Sequence, residues 1–139
     1  MLYRTAGAAP WDAARWPNFR AHEFACKCGG RFCAGEYWHD PGFLDALQSV
    51  RNETGPLIIT SGHRCALWNA QVGGAPRSQH KTIAADIALA GHNRHQLLRS
   101  VKRAGFTGLG LAQTFLHVDR RARPATWFYG AKSRHLWNL

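Results

Sequence analysis

The stretch Arg77–Leu89, RSQHKTIAADIAL, decides how the chain is read. Its first half is polar. From Ala84 the residues alternate, with Ala85, Ile87 and Leu89 on one side and Ala84, Asp86 and Ala88 on the other, which is the period-two pattern of a strand. A loop histidine, His80, therefore runs into a strand whose polar side carries Asp86. The same rule applied to FLHVD, Phe115–Asp119, puts Leu116 and Val118 on one face and Phe115, His117 and Asp119 on the other. If the two strands are neighbours, their apolar faces close a core and their polar faces converge. His80, Asp86 and His117 then become candidate ligands of one metal, because a catalytic zinc site takes three such protein ligands and leaves a fourth position for water. The ordinary reading stands beside it: a hydrogen-bonded histidine among the eight in the chain, and a strand-edge acid.

Elements on either side support a mixed fold. Asp40 is placed to cap a helix with Pro41 at its first position, Phe43, Leu44, Leu47 and Val50 on one face, and Gly55 as its stop. PLIIT, Pro56–Thr60, reads as a short buried strand, and the SGHR that follows reads as a turn at its end. A short helix is expected from Ala66 to Val72, closed by Gly73 and Gly74. A second capped helix starts after Asn93, carries Leu97, Leu98 and Val101, and closes at Gly105. TGLGLA and TFLHVD read as two strands joined by a tight connection. Strands and helices mix without regular alternation, which predicts an α+β fold, a small antiparallel sheet flanked by helices in a single domain. Residues 1–22, rich in Ala, Pro and Trp, are expected to form an N-terminal arm packed by Trp11, Trp16 and Phe19. Residues 23–139 form the domain, including a Cys-rich segment at 24–35.

Composition narrows the partners. With 139 residues, 45% of them hydrophobic and six of them Trp, the chain can build one real core and not two. The net charge of +10 favours an anionic partner: nucleic acid, an acidic membrane or a cell-wall polymer. The basic residues are scattered, with no basic tail or Arg-rich arm, which argues against nucleic acid. The N-terminus lacks the apolar run of a secretory signal, and nowhere do eighteen apolar residues follow one another, so the expectation is a protein made in the cytoplasm without signal peptide or membrane span. Cys26, Cys28, Cys33 and Cys65 are the only cysteines. In a reducing compartment four clustered thiols point to a structural metal; disulfides and free buried thiols are the alternatives.

Taken in order, SGHRCALWN, VGGAPRSQH, AADI, GFTGLG and FLHVD resemble the zinc D-alanyl-D-alanine carboxypeptidase family, which includes phage L-alanyl-D-glutamate endolysins and vancomycin-resistance dipeptidases. The resemblance runs from about Phe24 to Trp127. It implies a hedgehog-like α+β fold, one catalytic zinc held by His80, Asp86 and His117, and cleavage of peptide bonds in the stem peptides of peptidoglycan. Arg64 matches an arginine that faces the substrate in relatives, its planar fork suiting a carboxylate or a polarised carbonyl. Ser78 matches the serine beside the first ligand, as a substrate hydrogen-bonder or a plain turn residue.

The pattern also departs from the family. HKTIAAD has five residues between His and Asp and no Gly, where the family usually has six with a Gly. The missing residue must be absorbed in the loop, because a slip inside the strand would turn Asp86 to the core. Where relatives carry a base, this chain has Thr114 and Phe115. That leaves Asp119, in the HxD form of the phage-like branch, either as general base or as a carboxylate orienting a ligand. His63 can share either job or only shape the turn.

The expectation is thus a zinc peptidase, carboxypeptidase or endopeptidase, with a second structural zinc at the cysteines as a further expectation. Its source would be a phage, prophage or gene-transfer particle, and it would reach the wall by holin release or as a tail component, with peptidoglycan and particle proteins as partners. Two rivals are a catalytically impaired wall-binding or tail module of the same fold, and a small nucleic-acid protein built on a cysteine-bound zinc.

Overall fold

A computed structural model describes residues 1–138; Leu139, the last residue of the expected domain, lies outside them. Seven strands and four α-helices are described: β1 Leu2–Tyr3, β2 Tyr37–Trp38, α1 Pro41–Thr54, β3 Ile59–Ser61, α2 Ala66–Gln71, β4 Ala85–Ala88, α3 Arg94–Arg103, β5 Gly108–Leu111, β6 Phe115–Asp119, β7 Ala125–Phe128 and α4 Ala131–Trp137. The fold is α+β, as the mixed pattern predicts.

Local chemistry sets the helix ends. Asp40 accepts a hydrogen bond from the Phe43 N–H at 3.1 Å and Pro41 starts α1, while the Asn93 side chain accepts from the N–H groups of His95 and Gln96 at the start of α3. The apolar stripes of both helices, Phe43, Leu44, Leu47 and Val50 with Leu97, Leu98 and Val101, pack on Ala85, Ile87, Leu109, Leu111, Leu116 and Val118 of the sheet. Burying a side chain of this size stabilises the fold by roughly 1.5–3 kcal/mol before the entropy cost of ordering it. The helices thereby close one face of the sheet. The other face is left to the polar residues of β4 and β6.

The main sheet has the order β3-β4-β6-β5-β7. Its pairs are antiparallel except β5 with β7, which run parallel, so this sheet is mixed and a separate antiparallel ribbon is formed by β1 and β2. The expectation of a buried PLIIT strand is corrected. β3 is an edge strand that starts only at Ile59, and Ile58 is 62% exposed, because the sheet ends at this strand. β7 and α4 lie beyond the predicted elements; Trp137 of α4 is fully buried and donates from Nε1 to the Ala112 carbonyl. Residues 1–22 contain only β1 and a 3-10 turn besides part of another, and Trp16 and Phe19 enter the main core. Among the described residues no helix is long and apolar enough to cross a membrane.

Candidate metal centre

Strands β4 and β6 are adjacent, and their register pairs Asp86 directly with His117, so both side chains rise from the same face of the sheet. His80 arrives from the 3-10 turn Gln79–Lys81, begun by Ser78, whose Oγ accepts from the His80 N–H at 3.2 Å. The chain then turns at Thr82, whose N–H and hydroxyl both donate to the Gln79 carbonyl, and enters β4 at Ala85. The five-residue spacing is therefore taken up before the strand, and Asp86 keeps its place on the polar face.

The three donor atoms meet at close range. His80 Nε2 lies 3.2 Å and His117 Nδ1 3.1 Å from Asp86 Oδ1, and the two nitrogens are 3.2 Å apart. The outer nitrogen of each ring has an acceptor: His80 Nδ1 donates to the Gly62 carbonyl at 2.6 Å, and His117 Nε2 donates to Asp119 Oδ2 at 2.7 Å. With those protons committed outwards, three lone pairs converge inwards. A buried cluster of acceptors is unfavourable unless a cation or a proton sits among them. Burial by itself lowers the His117 pKa, but Asp119 and Asp86 beside the ring outweigh it and raise it above the ordinary value. Burial likewise pushes the Asp86 carboxyl up, and the two histidines overcome that and bring it down to about 2.

Asp119 does not open into the cleft. Its side chain is fully buried behind His117, where it accepts from Arg121 Nε, from a terminal guanidinium nitrogen and from the Arg121 N–H, at 2.9, 2.6 and 3.0 Å. Burial would raise this carboxyl, yet the Arg121 fork and His117 hold it well below the carboxylate range. His63 is also elsewhere: it is 2% exposed, its Nδ1 donates to the Thr82 carbonyl at 2.6 Å and its Nε2 faces Glu36 Oε1 at 2.8 Å. It pins the loop that leads into β4 and touches none of the three donors through these bonds.

In front of the donors lies a cleft of about 570 Å³. Arg64 and Ser78 line it, the former with its backbone N–H on the His80 carbonyl and a guanidinium nitrogen 3.3 Å from Asn69 Oδ1. Phe115, Trp127 and Tyr129 form an aromatic wall, Arg77 and Arg121 add positive charge, and Arg121 lies over the Trp127 ring at 4.6 Å. Asp86 is the one carboxylate among the lining residues. The aromatic wall and Arg121 were not among the predicted site residues. The signal available for the wall was the aromatic run WFY after Pro124, in which Trp127 and Tyr129 share the period-two face of a short strand.

The four cysteines come together and none of them lines this cleft. Their sulfurs all lie within 4.8 Å of one another, and the thiols are free.

A family model described as Peptidase M15 matches residues 17–119. No curated protein matches the chain.

Proposed function

The chain belongs to the Peptidase M15 family, and from that premise we propose that it is a zinc-dependent peptidase cleaving peptide bonds in the stem peptides of peptidoglycan. The observation that carries the proposal is the convergence of three lone pairs, two imidazole and one carboxylate, at 3.1–3.2 Å. Donors arranged tetrahedrally at about 2.0–2.1 Å from zinc stand about 3.3 Å apart, so the set fits this ion with little movement. His80, Asp86 and His117 would hold it, and bound there it would act as a Lewis acid on the scissile carbonyl and on the attacking water.

The remaining work falls to the chain's own residues. The Gly62 carbonyl and Asp119 fix which nitrogen of His80 and His117 points inwards. Of its two readings, Asp119 takes that of orienting carboxylate. Arg64, with Arg77 and Arg121 along the same cleft, makes a cationic site for the carboxylates of a stem peptide, and the aromatic wall keeps water away from one side. Burial pushes the Tyr129 phenol up, so it stays protonated and offers the cleft a hydrogen-bond donor. Ser78 already spends one lone pair on the His80 N–H and still has its hydroxyl proton to give.

The same proposal includes a phage, prophage or gene-transfer-particle source and delivery to the wall by holin release or on a tail; the HxD form of His117 and Asp119 supports it. One observation favours the rival reading of a wall-binding module with lost activity: Asp86 alone supplies a carboxylate to the cleft, and it belongs to the ligand set. Purified peptidoglycan incubated with the protein, with the chelated protein and with His117→Ala separates the two. The peptidase reading expects new peptide termini by mass spectrometry in the first sample only. Co-sedimentation with peptidoglycan and no new termini in any sample would establish the binding module instead.

A further inference from the structure

The catalytic reading leaves one buried cluster of reactive side chains unused. Cys26 and Cys28 follow the 3-10 turn Ala21–Phe24, Cys33 closes the loop after them, and Cys65 is the residue before α2 and next to Arg64. Cys26 and Cys65 are 39 positions apart, yet the Cys65 N–H donates to the Cys26 sulfur at 3.4 Å. We propose that Cys26, Cys28, Cys33 and Cys65 form a second metal site, a four-thiolate structural site for zinc, separate from the His80–Asp86–His117 centre.

The donor geometry is the first argument. All four sulfurs lie within 4.8 Å of one another, and those of Cys28 and Cys33 are 3.5 Å apart. Sulfurs around a tetrahedral zinc, at about 2.3 Å from it, stand about 3.8 Å from each other, so the cluster needs only a small contraction to close on the ion. Disulfides would instead draw the sulfurs together in pairs, to about 2.05 Å.

Backbone N–H donors reach two of the sulfurs. Besides the bond to Cys26, the Glu36 N–H donates to the Cys33 sulfur at 3.4 Å, and such donors stabilise thiolates held on a metal. Gly29 and Gly30, at φ 68° and 84°, take a left-handed backbone that lets the Cys28–Cys33 loop curl back on itself. Apolar packing does not account for the cluster, because the cysteines stand apart from the main core and, among the described residues, Trp68 is the one non-cysteine apolar neighbour packed against them.

Closure argues for structure and against catalysis. Cys26, Cys28 and Cys65 are 7%, 3% and 6% exposed, and four protein donors leave no position for a substrate. Residues 25–36 contain no helix or strand, so the ion would fasten this irregular segment to the turn that carries Arg64. Thiolates choose zinc over magnesium or calcium, and binding releases the thiol protons.

Metal analysis of the protein purified under reducing conditions with added zinc tests the site. The parent is expected to hold two equivalents, the double variant His80→Ala/His117→Ala one, and Cys28→Ser/Cys33→Ser one. Cobalt loaded into the double histidine variant is expected to give thiolate-to-metal charge-transfer absorption. Because that variant keeps all four cysteines, the test survives a cysteine variant that fails to fold. A double histidine variant that holds no metal, with four thiols open to a thiol reagent, would overturn the proposal, as would a Cys28–Cys33 disulfide that survives purification under reducing conditions. One equivalent in the parent that is untouched by the histidine changes and lost with the cysteines would support this site while overturning the catalytic one.

Discussion

Asp119 shows how far one side chain can be read from its neighbours. It shares a strand face with His117, which is visible in the sequence, but what it does is set by Arg121, whose fork and N–H occupy its oxygens from beyond the strand end. No periodicity reports that contact, because Arg121 lies in the irregular segment after β6. A carboxylate so occupied, and fully buried, is placed to orient the ring. Asp119→Asn is therefore expected to weaken zinc binding at the histidine centre by about 10–100-fold, measured by competition with a chromophoric chelator. If Asp119 were the base, turnover at saturating zinc would collapse while zinc affinity stayed level. His63 teaches the same lesson: its place beside the Arg64 turn suggested chemistry, and its bonds to Thr82 and Glu36 give it a loop to hold.

The elements were legible where a capping residue or a clean alternation marked them, and not where pairing alone made them. α1 and α3 follow from Asp40–Pro41 and Asn93, and the convergence of β4 with β6 follows from the two alternating segments. β7 has four residues and is held by parallel pairing with β5, a long-range partner that its short aromatic run does not specify. β3 misled because PLIIT is as apolar as a buried strand, while its actual position at the sheet edge depends on what lies next to it. Strand β5, GLGL, explains the shape of the site. Leu109 and Leu111 join the core, whereas Gly108 and Gly110, paired with Asp119 and His117, leave the polar face bare so that those side chains and the aromatic wall have room. A Cβ on Gly110 would come within 2.7 Å of Tyr129 Cε2 and 2.8 Å of Trp127 Nε1. Both rings reach partly into solvent and can give way. Gly110→Ala is thus expected to cost about 1–3 kcal/mol in denaturant unfolding, as overpacking does, and to raise KM for a peptidoglycan peptide more than it lowers metal content. Unchanged KM would mean that the wall does not touch the substrate. Asp40→Ala is a control at a residue that does not line the cleft, expected to cost about 1 kcal/mol through the lost cap with KM unaltered.

At the scale of the molecule, one face of a mixed sheet is sealed by α1 and α3 and the other holds buried ionisable groups, which gives pH one route to the stability of the fold. In the metal-free protein Asp86, brought down to about 2, contributes stability that is present above the unfolded carboxylate value near 3.9 and is lost as pH falls towards 2. His117 works in the opposite sense. Its folded value is raised, so its contribution is present below the unfolded value of about 6.5 and is lost as pH climbs through the folded one. The proton that His117 keeps under those conditions occupies the nitrogen that a metal needs, so zinc and that proton compete for the same lone pair. Melting temperature measured from pH 6 to pH 8, with zinc and with chelator, is expected to show a gap that widens with pH in the parent. His117→Ala should keep only the part of the gap that zinc bound elsewhere supplies, so the difference between the two proteins isolates the histidine centre. A difference that stays constant across the range would mean that His117 Nδ1 carries no competing proton, and no difference at any pH would mean that the three inward atoms do not share a cation site.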